Sequence, residues 1–280
     1  MEIGLVGKPN VGKSTFFEGA TLAGAEIANY PFTTIDANRG MGYLRTRCPH
    51  LDLDVQCQPK NSTCLEGTRF VPVELLDVAG LVPDAHSGKG LGNKFLDDIR
   101  QAEMLIHVVD VSGSTDLEGN PVNPGDHDPA DDIDFLKTEI DYWMKGIIMK
   151  DWPKISRMAE SQGKKVEVLL HDKLTGLGIN VHQIIDSIHH LDFGEKYTRW
   201  TDEQLLEFAT DLRTRSKPII IAANKADRVE KSDIEDFSSK IGEDIVIPTC
   251  AEAELALRRA DKGGMIRYRP GARDFEIVDP

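Results

Sequence analysis

Long apolar runs are missing from this sequence. Nowhere do about 18 residues pass without polar interruption, so no helix is expected to span a bilayer. Residues 2–7 read directly as a buried strand, which leaves no room for a signal peptide. The expectation is a soluble, cytoplasmic protein with no membrane partner. Cysteine is scarce: four in 280 residues do not make a disulfide scaffold. Positive charge is short as well. With 33 Lys and Arg against 47 Asp and Glu, the formal net charge is −14, which excludes a chain-wide electrostatic clamp on nucleic acid because such a surface repels phosphate. Any RNA contact has to be local. Internal repeats and low-complexity segments are also lacking.

What is present is a globular composition, 40% hydrophobic and 29% charged, in a length that suits one large α/β domain or two lobes, the latter being the expectation. Short aliphatic runs at 3–6, 70–76, 104–109, 218–223 and 244–247 each read as a buried parallel strand. Helical patterns at 15–22, 93–102, 232–241 and 253–260 alternate with them, as in a doubly wound, mostly parallel sheet. Residues 112–216 break the rhythm: this stretch is mostly helix-like, with apolar spacing at 133–148 and 181–188. Thr201 with Gln204 forms a capping box ahead of Leu205, Leu206, Phe208 and Leu212. The expected organisation is a nucleotide domain over 1–111 and 217–280, with an inserted helical subdomain over 112–216.

The chemistry begins at Gly7-Lys8-Pro9-Asn10-Val11-Gly12-Lys13-Ser14, a G-x-x-x-x-G-K-S phosphate loop with the strand before it and the helix after it that such loops need. Amides of Asn10, Val11, Gly12, Lys13, Ser14 and Thr15 are expected around the β-phosphate. Lys13 would reach the β and γ oxygens, and Ser14 would ligate Mg²⁺. Asn224-Lys225-Ala226-Asp227 follows another apolar run and selects guanine. Asp227 can accept from the ring N–H and the exocyclic amine, a donor pair that adenine does not offer; losing such a buried pair costs on the order of 1–3 kcal/mol. Asn224 would brace the loop and base edge, and Lys225 would lie along the ring. Thr249-Cys250-Ala251 follows the last strand, with the Ala251 N–H assigned to the guanine carbonyl or to an ordinary loop. Asp77-Val78-Ala79-Gly80 is the second switch, Asp77 holding Mg²⁺ through water and the Gly80 N–H sensing the γ-phosphate. In Pro31-Phe32-Thr33-Thr34 the choice for the second Mg²⁺-directed hydroxyl is Thr34, with Thr33 its rival. The expected fold is that of P-loop GTPases.

Residues 29–36 (NYPFTTID), 77–82 (DVAGLV) and 90–96 (GLGNKFL) closely resemble the Obg-like GTPases of the translation-factor class, specifically the YchF branch. The resemblance covers 1–110 and 217–260. It implies a GTP/GDP switch with ribosome- or RNA-linked partners. Many YchF proteins have an altered guanine motif and accept ATP, whereas Asp227 is present here, so GTP is expected. The insertion ahead of that motif points to a divergent, archaeal-type branch. The C-terminal TGS domain usual in the family, a small β-grasp module, is expected to be absent or removed, since the sequence ends at Pro280.

Leu81 stands where Ras-like proteins carry a water-orienting glutamine, so turnover should be slow and water positioning must come from elsewhere. One source is K⁺ ligated by Asn10, against the alternative that Asn10 merely shapes its loop; His86 is a second source, against a solvated loop histidine. Two other functional classes stay open: a nucleotide-gated scaffold with negligible turnover, and an ATPase of the same fold. Cys48, His50, Cys57 and Cys64 are the residue types of a zinc site but lack paired C-x₂-C spacing, so reduced loop thiols rank first, then zinc, then a disulfide. The acidic run Asp126, Asp128, Asp131, Asp132 and Asp134 reads as a solvated first helical turn rather than a calcium loop. His189 and His190 read as surface polar residues, and His107 as a satisfied buried histidine.

Overall fold

The structure is a computed structural model that describes residues 1–22, 39–53, 55–78 and 92–278. Its centre is β1 (Glu2–Val6), whose unbroken apolar run is buried over four of five residues, as a strand covered on both faces must be. On one side β1 pairs in parallel with β4 (Thr68–Asp77), and on the other with β5 (Met104–Asp110), followed in parallel by β6 (Ile219–Asn224) and β7 (Ile245–Pro248). Beyond β4 lie two antiparallel strands, β2 (Arg39–Arg47) and the short β3 (Thr63–Leu65). The order β2-β4-β1-β5-β6-β7 makes a mostly parallel, doubly wound sheet, the fold expected of a P-loop GTPase.

Two strand expectations need correction. β7 is parallel but not buried: Ile245 and Ile247 are 60% and 47% exposed, because nothing described pairs its outer side. β4 is parallel only toward β1. Its other side pairs antiparallel with β2 from Arg39↔Leu76 to Arg47↔Thr68. β2 gives no apolar alternation to read, since it carries three arginines and two glycines. Gly40 is needed there for close packing: a Cβ on it would stand 2.5 Å from the Thr21 side chain on α1 (Lys13–Leu22).

Two further helices precede the insertion, the single turn α2 (His50–Leu53) and α3 (Gly92–Gln101). The insertion then opens with α4 (Pro129–Gln162), 34 residues and about 50 Å long. Its start is fixed locally, with the Asp128 side chain accepting from Ala130 N and Pro129 at the first helical position, and Gly163 in the left-handed region ends it. α5 (Val166–Leu174) and α7 (Asp202–Ser216) pack back along it, and α6 (Val181–Leu191) packs against α5 and α7. The capping box read at Thr201 and Gln204 is made, with bonds of 3.2 and 2.9 Å. Trp200 sits among Trp152, Phe193 and Phe208. A single apolar cluster runs from Val6, Leu76, Phe95 and Leu105 under the sheet through Leu136, Ile140 and Met144 to Leu205 and Leu212.

Where the chain re-enters the sheet, the Lys217 ammonium is buried against the Arg100 and Ala102 carbonyls at the end of α3, and burial pushes it down to about 8. The chain continues through α8 (Lys231–Ile241), α9 (Ala251–Lys262) and a two-stranded ladder of β8 (Ile266–Arg267) with β9 (Glu276–Ile277). Among the described residues no helix is long and apolar enough to cross a membrane.

Candidate nucleotide site

The loop from Gly7 to Ser14 leaves the carboxyl end of β1 and turns into α1, so its amides and the helix start face one space above the sheet. Val11 anchors it, wholly buried in a cluster with Val108 and Ala222. Gly12 has φ +91°, and a Cβ there would stand 2.4 Å from Asn224 Nδ2; only glycine fits. Asn10 is itself left-handed, φ 65°. Its amide nitrogen donates to the Gly119 carbonyl at 2.9 Å. Lys13 forms an ion pair with Asp77 and donates to the Val78 carbonyl at 2.7 Å. Ser14 is exposed and Thr15 half-buried, both in the first turn of α1.

The guanine-type motif comes to the same place. Asn224, 3% exposed at the end of β6, donates through Nδ2 to the Val11 carbonyl at 2.8 Å and accepts through Oδ1 from the Ala251 amide at 2.9 Å. One side chain thus ties the phosphate loop to the segment that opens α9. The Ala251 N–H, read from sequence as facing a guanine carbonyl or as part of an ordinary loop, is engaged by Asn224 in this structure. Lys225 is left-handed, φ 62°, and its ammonium pairs with Asp110 at 2.7 Å. Asp227 is exposed on the short 3₁₀ turn Ala226–Arg228. A hydrogen bond from Cys250 holds its carboxyl below the usual range, and Cys250 is pushed up, first by burial and then by Asp227.

Two buried carboxylates beneath the site escaped the sequence reading. Asp110, at the end of β5, accepts from Ser112, Ser114 and Thr115 and from Lys225. Burial works to raise it, but Lys225 and the serines outweigh burial and hold it below the usual range. A polar residue ending an otherwise apolar strand was the available signal.

The second is Asp132, and here the reading of a solvated helical turn is overturned. Asp132 and Lys8 are each 4% exposed at the side chain and lie 2.8 Å apart. Lys8 also donates to the Thr115 carbonyl at 2.8 Å, and His127 Nε2 lies 2.8 Å from Asp132. Burial raises the Asp132 carboxyl against the opposing pull of Lys8 and His127. Asp132, Leu136 and Ile140 share one face at four-residue spacing, so a carboxylate on the buried face was legible. The first helix of the insertion is therefore tied by a buried ion pair to the second residue of the phosphate loop.

His107 is buried as read but not satisfied: among the described residues its Nδ1 has no partner, and burial pushes it down to about 3. His190 pairs with Asp211 at 2.9 Å. The switch residues Thr33, Thr34, Gly80, Leu81 and His86 lie outside the described residues.

Residues 2–141 match the family described as 50S ribosome-binding GTPase, and residues 222–280 match the Obg-like GTPase YGR210-like, G4 motif-containing domain. The GTP-binding protein MJ1332 of Methanocaldococcus jannaschii is 52% identical over 278 residues, which are 99% of this chain and 69% of that protein. The ribosome-binding ATPase YchF of Pasteurella multocida is 30% identical over 99% of this chain and 71% of its own. The crystal structure of a GTP-binding protein from Pyrococcus horikoshii superposes with a TM-score of 0.80 at 42% identity, covering 96% of this chain and 70% of the other.

Proposed function

The chain belongs to the Obg-like, YchF-related P-loop GTPases, and on that premise we propose that it binds GTP with Mg²⁺, hydrolyses it slowly to GDP, and acts as a nucleotide-dependent switch linked to the ribosome. The observation that carries this reading is the double bond of Asn224, to the phosphate loop at Val11 and to Ala251. A diphosphate in the amide cradle and a purine over the Asn224–Asp227 turn are then parts of one ligand.

In this reading Lys13 exchanges Asp77 for β and γ oxygens when nucleotide arrives. Asp77 is released by that exchange, and with the exposed Ser14 hydroxyl it supplies hard oxygen donors of the type Mg²⁺ takes. Mg²⁺ would neutralise charge on the β- and γ-phosphates. Thr34 would give Mg²⁺ its second hydroxyl, and the Gly80 amide would sense the γ-phosphate. Asp227 reads the guanine edge, and Lys225, aimed by Asp110, lies along the ring. Cys250 and Ala251 close the base pocket. With Leu81 in the second switch, water positioning falls to a cation, another switch residue such as His86, or a partner. If Asn10 ligates K⁺, it does so through Oδ1, since its nitrogen is given to Gly119.

Calorimetric titration with GDP, GTP and ATP in Mg²⁺ tests the proposal. GDP and GTP should bind at least about tenfold more tightly than ATP, a difference of about 1.4 kcal/mol, and Asp227→Ala should erase the difference. Equal binding of ATP would remove the guanine reading in favour of the second one, adenine, which the naming of the Pasteurella relative as an ATPase favours. Hydrolysis equal in Na⁺ and K⁺ would remove the cation role of Asn10. Cosedimentation with ribosomes that does not depend on nucleotide would remove the switch.

A further inference from the structure

Outside the nucleotide site the antiparallel arm of β2, β3 and β4 carries a second chemical centre. Cys48 follows the last residue of β2, His50 opens α2, Cys57 lies in the loop beyond it, and Cys64 is the middle residue of β3. Their ligand atoms, three sulfurs and one imidazole nitrogen, all lie within 4.8 Å of one another. Cys48 Sγ is 3.6 Å from Cys57 Sγ, and Cys64 Sγ is 3.9 Å from His50 Nδ1. Two sulfurs bound to one zinc at about 2.3 Å and a tetrahedral angle stand roughly 3.8 Å apart, and a sulfur and a nitrogen roughly 3.5 Å. A disulfide needs about 2.05 Å, and it would leave one thiol and the imidazole unused.

The weak spacing in the sequence loses its force once the tertiary pairing is known. β2 and β3 both pair with β4, Arg47 opposite Thr68 and Cys64 opposite Arg69. Cys48 is held further by its amide on the Gly67 carbonyl at 2.8 Å. Glu66 and Gly67, both at positive φ, make the two-residue hairpin turn that fixes β3 on β4. Distant cysteines are thus delivered to one point by strand register.

Two more observations point to a cation rather than to idle thiols. Arg69 extends its guanidinium to the sulfurs, Nε at 3.3 Å from Cys48 and Nη2 at 3.9 Å from Cys57. Three thiolates around a divalent ion carry one net negative charge, which this guanidinium offsets from the outer shell. Moreover, none of the described residues from Pro49 to Leu65 is buried, and Leu51, Leu53 and Val55 are exposed. An excursion with no apolar core of its own needs a staple to hold one shape.

We propose that Cys48, His50 through Nδ1, Cys57 and Cys64 form a closed, structural Zn²⁺ site that pins the β2–β3 excursion to the sheet. On binding, the three thiols give their protons to the solvent and no redox change occurs.

The test uses untagged, full-length protein from zinc-replete growth. Elemental analysis should find about one zinc per chain, and the apoprotein should take up Co²⁺ with the charge-transfer and ligand-field bands of a tetrahedral thiolate site. Cys57→Ser and Cys64→Ser should each lose most of the zinc. His50→Cys should keep it where His50→Ala does not. The wild-type cobalt spectrum decides the matter even if a serine variant fails to fold. Zinc below a tenth of the chain concentration together with no cobalt bands, iron in place of zinc, or a disulfide among the three cysteines by mass spectrometry would each overturn the site. Nucleotide titration of the same preparation reports separately, so failure of the metal site and failure of the GTPase reading remain distinguishable.

Discussion

Replacing Asp132 by leucine removes the partner of a lysine that the fold has taken out of water. Lys8 and Asp132 are each 4% exposed at 2.8 Å, and once Asp132 is gone Lys8 keeps only the Thr115 carbonyl. Leaving one charge of a buried pair uncompensated costs about 3–5 kcal/mol. At about 2 °C of Tm per kcal/mol for a domain of this size, Asp132→Leu should melt about 6–10 °C below wild type, with a matching fall in the urea midpoint. Lys8→Met should cost less, because the Asp132 carboxylate keeps His127 beside it at 2.8 Å. The double variant Lys8→Met with Asp132→Leu leaves no charge stranded and should recover most of the loss, a coupling of a few kcal/mol. The assay is thermal and urea unfolding of all four proteins without nucleotide. A cost below about 1 kcal/mol for Asp132→Leu, or a double variant that simply adds the two singles, would refute the buried pair as the tie between phosphate loop and insertion.

His107 predicts a pH dependence whose sign follows from proton counting. Its folded value is about 3 against an ordinary 6.5, so the unfolded chain binds more protons below pH 6.5 and stability falls as the solution is acidified through that window. From pH 7 to pH 5 the loss due to this residue is about 2 kcal/mol. His107→Leu should flatten the urea midpoint profile by that amount, and an unchanged slope would count against the burial argument. Gly12→Ala puts a Cβ at 2.4 Å from Asn224 Nδ2 at φ +91°. It should cost about 1–3 kcal/mol of stability and weaken GDP binding at least about tenfold. Adding Asn224→Ala should relieve part of the stability loss; full additivity would show that the clash is not with Asn224.

The sequence by itself determined the elements whose cause is local. The phosphate loop stands between a buried strand and a helix, the capping box at Thr201 starts a helix, and β1, β5 and β6 are buried runs, because aliphatic continuity, caps and glycine turns act over a few residues. Which side chains of these motifs meet was only partly legible. Order along the chain put Asp77 and Asn224 directly after apolar runs, and they end β4 and β6, while Lys13 opens α1 after β1. The contact of Asn224 with Val11, the pairing of Lys225 with Asp110 and that of Lys8 with Asp132 depend on strand order and on how α4 crosses the sheet. β2 could not be read, since its arginines and glycines carry no period, and β7 was misjudged as buried because apolar content does not say which strand ends the sheet.

Tertiary structure alone decided the two features with the longest reach. Asp132, 124 positions after Lys8, supplies that lysine's counter-ion, and cysteines at 48, 57 and 64 converge with His50 although no short-range spacing announces it. In both cases the interaction is between groups brought together by register and packing, and a one-dimensional pattern records only the distance along the chain, never the distance across it.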